Sequence, residues 1–282
     1  MALFKYLEPD RVDVVEHLRI RFAPANGFND PFECLPDSHL VENSRWQRQN
    51  EDDCVREILA ADAVQSAIHR RPCHWTEERI GQDHRERYAM RVPELKNLAM
   101  EALISARSHL RILCLSQVPP ESSEAFLIWG HYTQNHQGIV IEFEPENIWI
   151  EGHEPVWGQP HESGPVSYSK NRPGWDADET GLPRPSRDLV FTKSEHWRYE
   201  KEFRLLRFAG TSGLDTRVVD SLVPFPPLAL RTITFGVNAS HSVKERIFTT
   251  CARPELRHVR IREAQIHPDN YELTVLDATS AR

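Results

Sequence analysis

The sequence predicts an α+β fold, a mixed and mostly antiparallel sheet carrying a helical insertion. Three observations carry that expectation. Helical spacing concentrates early, between about Asn43 and Ser108. Strand-like alternation dominates the second half, and the regular strand–helix alternation of a doubly wound parallel sheet is absent. At 282 residues the chain can bury one large core. No linker-like stretch divides it, so a single domain over 1–282 is expected, with residues 43–108 inserted.

The elements follow in order. Leu3-Phe4-Lys5-Tyr6 reads as a short strand, and Pro9-Asp10 opens a helix with an apolar stripe of Val14, Val15 and Leu18. Arg19 to Phe22 is a second short strand, followed by the turn-rich A-P-A-N-G-F-N-D-P-F-E. In the insertion, Val55, Ile58, Leu59, Leu95, Ala99, Ala102 and Leu103 keep helical spacing, while Pro72 and Pro93 divide it into two or three helices. Arg111 to Ser116 is a compact apolar strand. A serine of P-P-E-S-S caps a helix running to about Gln134 and closed by Gly138. Gly138 to Glu144 alternates as a strand. Residues 151–187, rich in Gly, Pro, His and Trp, read as a long loop. The strand W-R-Y-E-K-E-F-R comes next, its alternation slipping near Leu206. Leu230–Gly236, a helix over Ser242–Cys251, and strands near Val259 and Leu273–Leu276 complete the chain.

Bulk properties narrow the function. A net charge of −8 gives no bulk basic character for nucleic acid, and no run of apolar residues is long enough to cross a bilayer. The start, M-A-L-F-K-Y-L-E-P-D, lacks the apolar core of a secretory signal. Five scattered cysteines without C-x-x-C spacing argue against a disulfide framework or thiolate zinc site. A cytoplasmic location and no membrane partner are expected.

Several constellations bear chemistry. In Phe28-Asn29-Asp30-Pro31-Phe32-Glu33, Asn and Asp before Pro favour a tight turn. The phenylalanines would pin that turn while Asn29, Asp30 and Glu33 project polar atoms, although a self-closed Asx turn explains the same residues. On the next helix, Tyr132 or Trp129 offers a stacking wall for a planar ligand. His131 and His136, five apart, diverge around the helix and do not form a metal pair. Ser116 ends its strand without a G-x-S-x-G context. In residues 197–204, a strand would put Glu200, Glu202 and Arg204 on one face and Tyr199, Phe203 and Leu205 on the other. That face is either a solvated surface, with Arg198, Lys201 and Arg204 as ion-pair partners, or a carboxylate pair at the rim of a site.

Taken together, these motifs resemble the bacterial family catalogued as domain of unknown function 2971. The matching pieces are Lys5-Tyr6, Phe28 to Glu33, Ser116, Trp129 to Tyr132, Gly138 to Phe143, Tyr199 to Arg204, and Thr234 to Gly236. The order Lys5, Ser116, Glu200-Lys201-Glu202 is also similar to that of mono-ADP-ribosyltransferases, with Lys at the first position and Cys-Leu-Ser on the middle strand as departures. This second resemblance implies an ADP-ribosyltransferase-like fold and NAD as the substrate. It further implies Glu202 as the principal carboxylate, Glu200 assisting the acceptor, and Lys5, Tyr6, Ser116 and Tyr132 lining the cofactor pocket. The expected function is therefore transfer of ADP-ribose from NAD to an unidentified acceptor, as a toxin or a phage-defence effector. Two alternatives stay open: a metal-dependent nuclease or phosphodiesterase built on Asp30, Glu33, Glu142 and Lys193, and a non-catalytic binding module.

Overall fold

The computed structural model describes residues 2–36, 45–70, 72–73, 75–144, 162–174, 176–177, 183–184, 187–208 and 222–279. The Asn43 start of the expected insertion and residues 151–161, 175, 178–182 and 185–186 of the expected loop lie outside the described residues. The chain forms two compact units. The first comprises Met1–Pro31, His109–Lys170 and Lys193–Arg282; the second comprises Phe32–Ser108 and Asn171–Thr192.

The first unit is built on a nine-stranded sheet, which bears out the mixed, mostly antiparallel α+β expectation. Its central strands are β1 (Leu3–Leu7), β4 (Leu110–Ser116) and β5 (Ile139–Phe143). On one side lie β13 (Leu230–Phe235), β14 (Arg260–Ile266) and β15 (Leu273–Asp277); on the other lie β11 (Glu202–Phe208) and β6 (Glu162–Pro165). The order is β15-β14-β13-β5-β1-β4-β11-β6, with β3 (Ala23–Pro24) also paired to β4. Among the described residues, β13 with β14 is the parallel pair of this sheet and the other registers are antiparallel.

Alternation along these strands sorts side chains between two faces. Leu3, Leu7, Leu113, Leu115, Ile141 and Leu205 face helix α1 (Asp13–His17) and the helix His241–Cys251, through Val14, Val15, Val243 and Ile247. Phe4, Tyr6 and Val140 face α4 (Ala125–Tyr132), through Ala125, Ile128 and Trp129. Trp129 is fully buried, with its Nε1 donating to the Pro120 carbonyl at 3.0 Å and the Tyr6 ring edge-on at 5.4 Å. It is therefore a core residue and cannot be the ligand wall that its sequence context suggested.

Several local expectations change. Residues Pro9–Val12 form a 3-10 turn before α1, because the interior residue Arg11 leaves helical geometry. The residue capping α4 is Glu124, itself helical and making no side-chain cap, so no serine fills that place. The helix ends at Tyr132, since Gln134, Asn135 and His136 are all left-handed (φ 51, 56 and 64°). The region expected as loop contains β6 and β7 (Ser167–Ser169), and β10 (Thr192–Ser194) pairs with β7. No slip interrupts β11: its register on β4 runs regularly from Glu202↔Ser116 to Phe208↔Leu110. Leu205 and Leu206 are both buried because this internal strand is covered on both faces.

In the second unit, the helical spacing resolves into α2 (Arg45–His69) and α3 (Glu77–His109), separated around Pro72. The second helix runs through Pro93. A proline removes one backbone hydrogen bond, and strong helix formers on either side carry the helix past it. Asp62 of α2 holds the turn before α3, accepting from the Trp75 amide (2.9 Å), and also accepts from Ser66 Oγ in its own helix (3.3 Å). Short strands Asp176–Ala177 and Pro183–Arg184 and a helix Arg187–Phe191 also belong here. Phe32 is 62% exposed, so it does not pin its turn to a core. Among the described residues no helix is long and apolar enough to cross a membrane.

Gly138 enters β5 where the backbone presses on β1: a Cβ there would overlap the Leu7 carbonyl oxygen and touch Thr133 Cβ at 3.1 Å. Backbone cannot yield as a flexible side chain would. Gly138→Ala should therefore lower unfolding free energy by roughly 2–4 kcal/mol, as severe steric substitutions do; chemical denaturation of the two proteins measures it.

Candidate functional site

The acidic doublet is positioned by an abrupt change of backbone. Glu195–Glu200 form a 3-10 helix, Lys201 is left-handed (φ 42°), and β11 begins at Glu202. The single strand expected over residues 197–204 is thus replaced by a turn and a strand. Only Glu202 and Arg204 share a strand face. Lys201 N donates to the Arg198 carbonyl at 3.3 Å, and the Lys201 carbonyl accepts from Gln117 N at 3.0 Å, fixing the turn to the end of β4. Ser116 completes the anchor: its Oγ donates to the Glu200 carbonyl (2.6 Å) and accepts from Val118 N (3.0 Å).

The turn brings Glu200 beside Glu202 despite the break in the strand. Both are buried, 5% and 4% exposed, so they do not form the solvated face that the sequence allowed. Lys193 sits between them, its Nζ 2.7 Å from Glu200 Oε2 and 3.2 Å from Glu202 Oε2. Arg204 holds the far side of Glu202, with Nε 2.8 Å from Oε1 and Nη2 3.2 Å from Oε2. Tyr132 Oη donates to Glu200 Oε1 at 2.6 Å. The Tyr168 hydroxyl accepts from Glu202 N at 2.8 Å.

The charges set the titration. Burial pushes the Glu202 carboxyl up, but the Arg204 and Lys193 charges, with hydrogen bonds from Arg204 and Cys114, outweigh it and bring it down to about 2. Burial, then the Glu200 charge, raises the Tyr132 phenol well above its ordinary value. Burial likewise pushes Tyr168 up to about 12. Both phenols stay protonated at neutral pH.

Half-buried aromatic rings stand beside this buried cluster. Trp197 and Tyr199 are 6.1 Å apart, and exposed His131 lies 6.3 and 6.4 Å from them and 6.4 Å from Tyr132. Lys193 Nζ lies 4.7 Å from the Trp197 ring centroid, and the Arg204 guanidinium 5.4 Å from that of Phe28. The Asn29 side chain lies near the Tyr132 hydroxyl and acts to lower its pKa, against the larger effect of burial.

The sequence-derived candidates divide accordingly. Glu200, Glu202, Ser116, Tyr132, His131 and Asn29 come together. Tyr6 shares the sheet face of Glu202, but its hydroxyl donates to the Val118 carbonyl (2.9 Å) beneath α4. Lys5 is one residue out of register with the face of Phe4, Ser116 and Glu202, so it projects from the opposite side. Its Nζ donates to the Cys114 carbonyl at 2.9 Å, and burial lowers its pKa against the attraction of Cys114 and Glu202. Asp30, buried, belongs to the first unit, and Glu33, buried, to the second. Lys201 pairs with Glu124 at 2.6 Å, and Arg198 donates to the Tyr168 carbonyl at 3.4 Å, so neither serves the doublet. Lys193, Tyr168, Trp197 and Phe28 are the residues that sequence reasoning did not assign to the doublet. Among the described residues, no three His, Cys, Asp or Glu side chains converge as metal ligands.

The depressed carboxyl of Glu202 links folding to pH. Its stabilising share is complete above the ordinary value of 4.5 and is lost as pH falls toward about 2. That share is on the order of 3 kcal/mol. Urea unfolding at successive pH values should show the wild type losing that much more stability across this window than Glu202→Gln. The variant itself should be less stable at pH 7 by roughly 3–5 kcal/mol, because it leaves buried cations short of a counter-charge.

Comparison with known proteins adds one match. The family model described as Protein of unknown function (DUF2971) covers residues 128–205. No curated protein and no solved structure matches the chain. The matched segment runs from α4 into β11 and contains Tyr132, Tyr168, Lys193, Trp197, Tyr199, Glu200, Glu202 and Arg204. This segment, the one that carries the carboxylate cluster, is thus similar to the DUF2971 family over 128–205.

Proposed function

We propose that the first unit breaks the N-glycosidic bond of NAD and passes ADP-ribose to an acceptor, with Glu200 as the working carboxylate. The observation that carries this is the setting of Glu200: one oxygen held by Tyr132, the other by Lys193, beside the half-buried rings of Trp197 and Tyr199. A carboxylate restrained at both oxygens is preorganised, so little reorganisation is needed as positive charge grows at an anomeric carbon. Glu202 is less suited to that task, because two cations, Arg204 and Lys193, already neutralise it, whereas Glu200 meets one cation and a phenol. It serves as the fixed counter-charge that keeps Lys193 in place.

The chemistry balances without a further reagent. The C1′–N bond breaks and its electron pair leaves on nicotinamide, which departs neutral because it was cationic in NAD. A lone pair of the acceptor, or of water, forms the new bond to C1′, and its proton passes to solvent. The aromatic rings offer the flat surface that a pyridinium prefers. Glu200 steadies the cationic sugar between the two events.

Labelled NAD tests the proposal. Wild-type protein should release nicotinamide, and Glu200→Gln, folded by circular dichroism, should release it at least about 100-fold more slowly. The proposal is overturned if the wild type releases none with water or with candidate protein and nucleic-acid acceptors, or if the variant keeps the wild-type rate. A structural role for the cluster is the second reading, favoured by the fact that all four carboxylate oxygens are already bonded within the chain. There, Glu200→Gln lowers the melting temperature and no NAD is consumed by either protein.

A further inference from the structure

Between positions 193 and 204 the chain carries four lysines and arginines: Lys193, Arg198, Lys201 and Arg204. Three of them meet carboxylates. Lys193 pairs with Glu200 and Glu202, Arg204 with Glu202, and Lys201 with Glu124. Arg198 has no carboxylate partner among the described residues. It is exposed, yet its place is set by Tyr168: Nη2 donates to the Tyr168 carbonyl at 3.4 Å, and the guanidinium lies 5.8 Å from the centroid of the Tyr168 ring. We propose that Arg198 and Tyr168 form a diphosphate subsite, which takes the phosphates of a dinucleotide whose sugar lies at Glu200.

A guanidinium presents five N–H donors in a planar fork that matches phosphate oxygens, and one bond to a carbonyl leaves four of them available. Resting against an aromatic ring, the fork is already oriented, so binding a phosphate orders little that is not ordered beforehand. The other three cations would first have to give up a carboxylate. Tyr168 carries the connection to the acidic doublet. It lies on β7, which pairs with the strand of Lys193, and its hydroxyl accepts from Glu202 N at 2.8 Å. One side chain thus spans from the guanidinium to the backbone of the doublet. A phenol has one hydrogen of its own, and among the described residues that of Tyr168 meets no acceptor, so it is a second donor for a ligand oxygen. Charge makes the assignment specific. Glu200 and Glu202 repel a diphosphate, as does a net charge of −8, so binding one beside them requires a local cation. Lys5, the cation that motif order offered, is committed to the Cys114 carbonyl from the opposite side of the sheet.

This inference rests on the NAD reading of the same site, and binding separates the two because it needs no turnover. Calorimetry compares wild type, Arg198→Gln and Arg198→Lys, with ADP-ribose and inorganic pyrophosphate as phosphate-bearing probes and adenosine and nicotinamide as phosphate-free ones. Wild type should bind ADP-ribose, and pyrophosphate should compete with it. Arg198→Gln should weaken ADP-ribose binding about 10- to 100-fold, the worth of a charge-assisted hydrogen bond. Arg198→Lys should recover only part of the loss, since an ammonium keeps the charge without the fork. Affinity for the phosphate-free probes should not change. The inference is overturned if wild type binds neither ADP-ribose nor pyrophosphate, or if Arg198→Gln binds ADP-ribose as tightly as wild type. It is equally overturned if the variant loses both kinds of probe alike, which is the mark of a structural role. Nicotinamide release from NAD with KM unchanged in Arg198→Gln removes the subsite and leaves the reaction standing. Arg198-dependent binding of ADP-ribose by a protein that releases no nicotinamide upholds the subsite and removes the reaction.

Discussion

One ammonium group organises the first unit's buried charges. Lys193 Nζ stands between Glu200 and Glu202, within 3.2 Å of each. Two carboxylates held that close in a dry setting repel strongly, and the arrangement persists only because a cation lies between them. Arg204 adds the second positive charge, so two cations and two anions neutralise one another inside the protein. Tyr132, Tyr168 and Ser116 then satisfy or orient the groups around this core of charge. Even the backbone conforms: the 3-10 turn and the left-handed Lys201 deliver Glu200 to the ammonium that also meets Glu202.

Much of the sheet was legible in the sequence because its strands are short, apolar and bounded by turn residues. The extents of β1, β4, β5 and β13 differ from their expected limits by one or two residues. The acidic doublet was also visible, but its geometry was not. Aromatics at 197, 199 and 203 with acids at 200 and 202 imitate strand alternation, and a left-handed lysine carries no sequence mark as a glycine would. Lys193 lies seven residues before Glu200, a separation that no helix or strand period makes adjacent. Pairing across a turn depends on tertiary structure, which a single sequence does not encode in its local pattern. Lys5 shows the converse error. It has the correct place in the order of motifs, yet strand register puts it on the opposite face from Glu202.

The cluster also shows why the long insertion between β3 and β4 does not disturb the site's framework. β4 takes β1 and β11 as its neighbours, and both contacts lie within the first unit. Glu202 sits across from Ser116 at the end of β4, and Phe4 sits across from the same residue on the other side. Loop-closure entropy grows slowly with length, so a long excursion before β4 costs little once those registers form.

Folding alone does not call for these charges. Continuum calculation and mutation both find that buried ion pairs are often matched or exceeded by apolar residues of similar volume, because desolvation consumes the Coulombic gain. Leucine or methionine at positions 193, 200, 202 and 204 would fill the same space without that cost. What apolar residues could not provide is a carboxylate held rigidly at both oxygens next to partly exposed aromatic rings. The proposed reaction would give that geometry a use that packing alone does not, and the cluster's loss of stability in acid is the physical consequence of keeping four charges in a place where none is needed to pack the core.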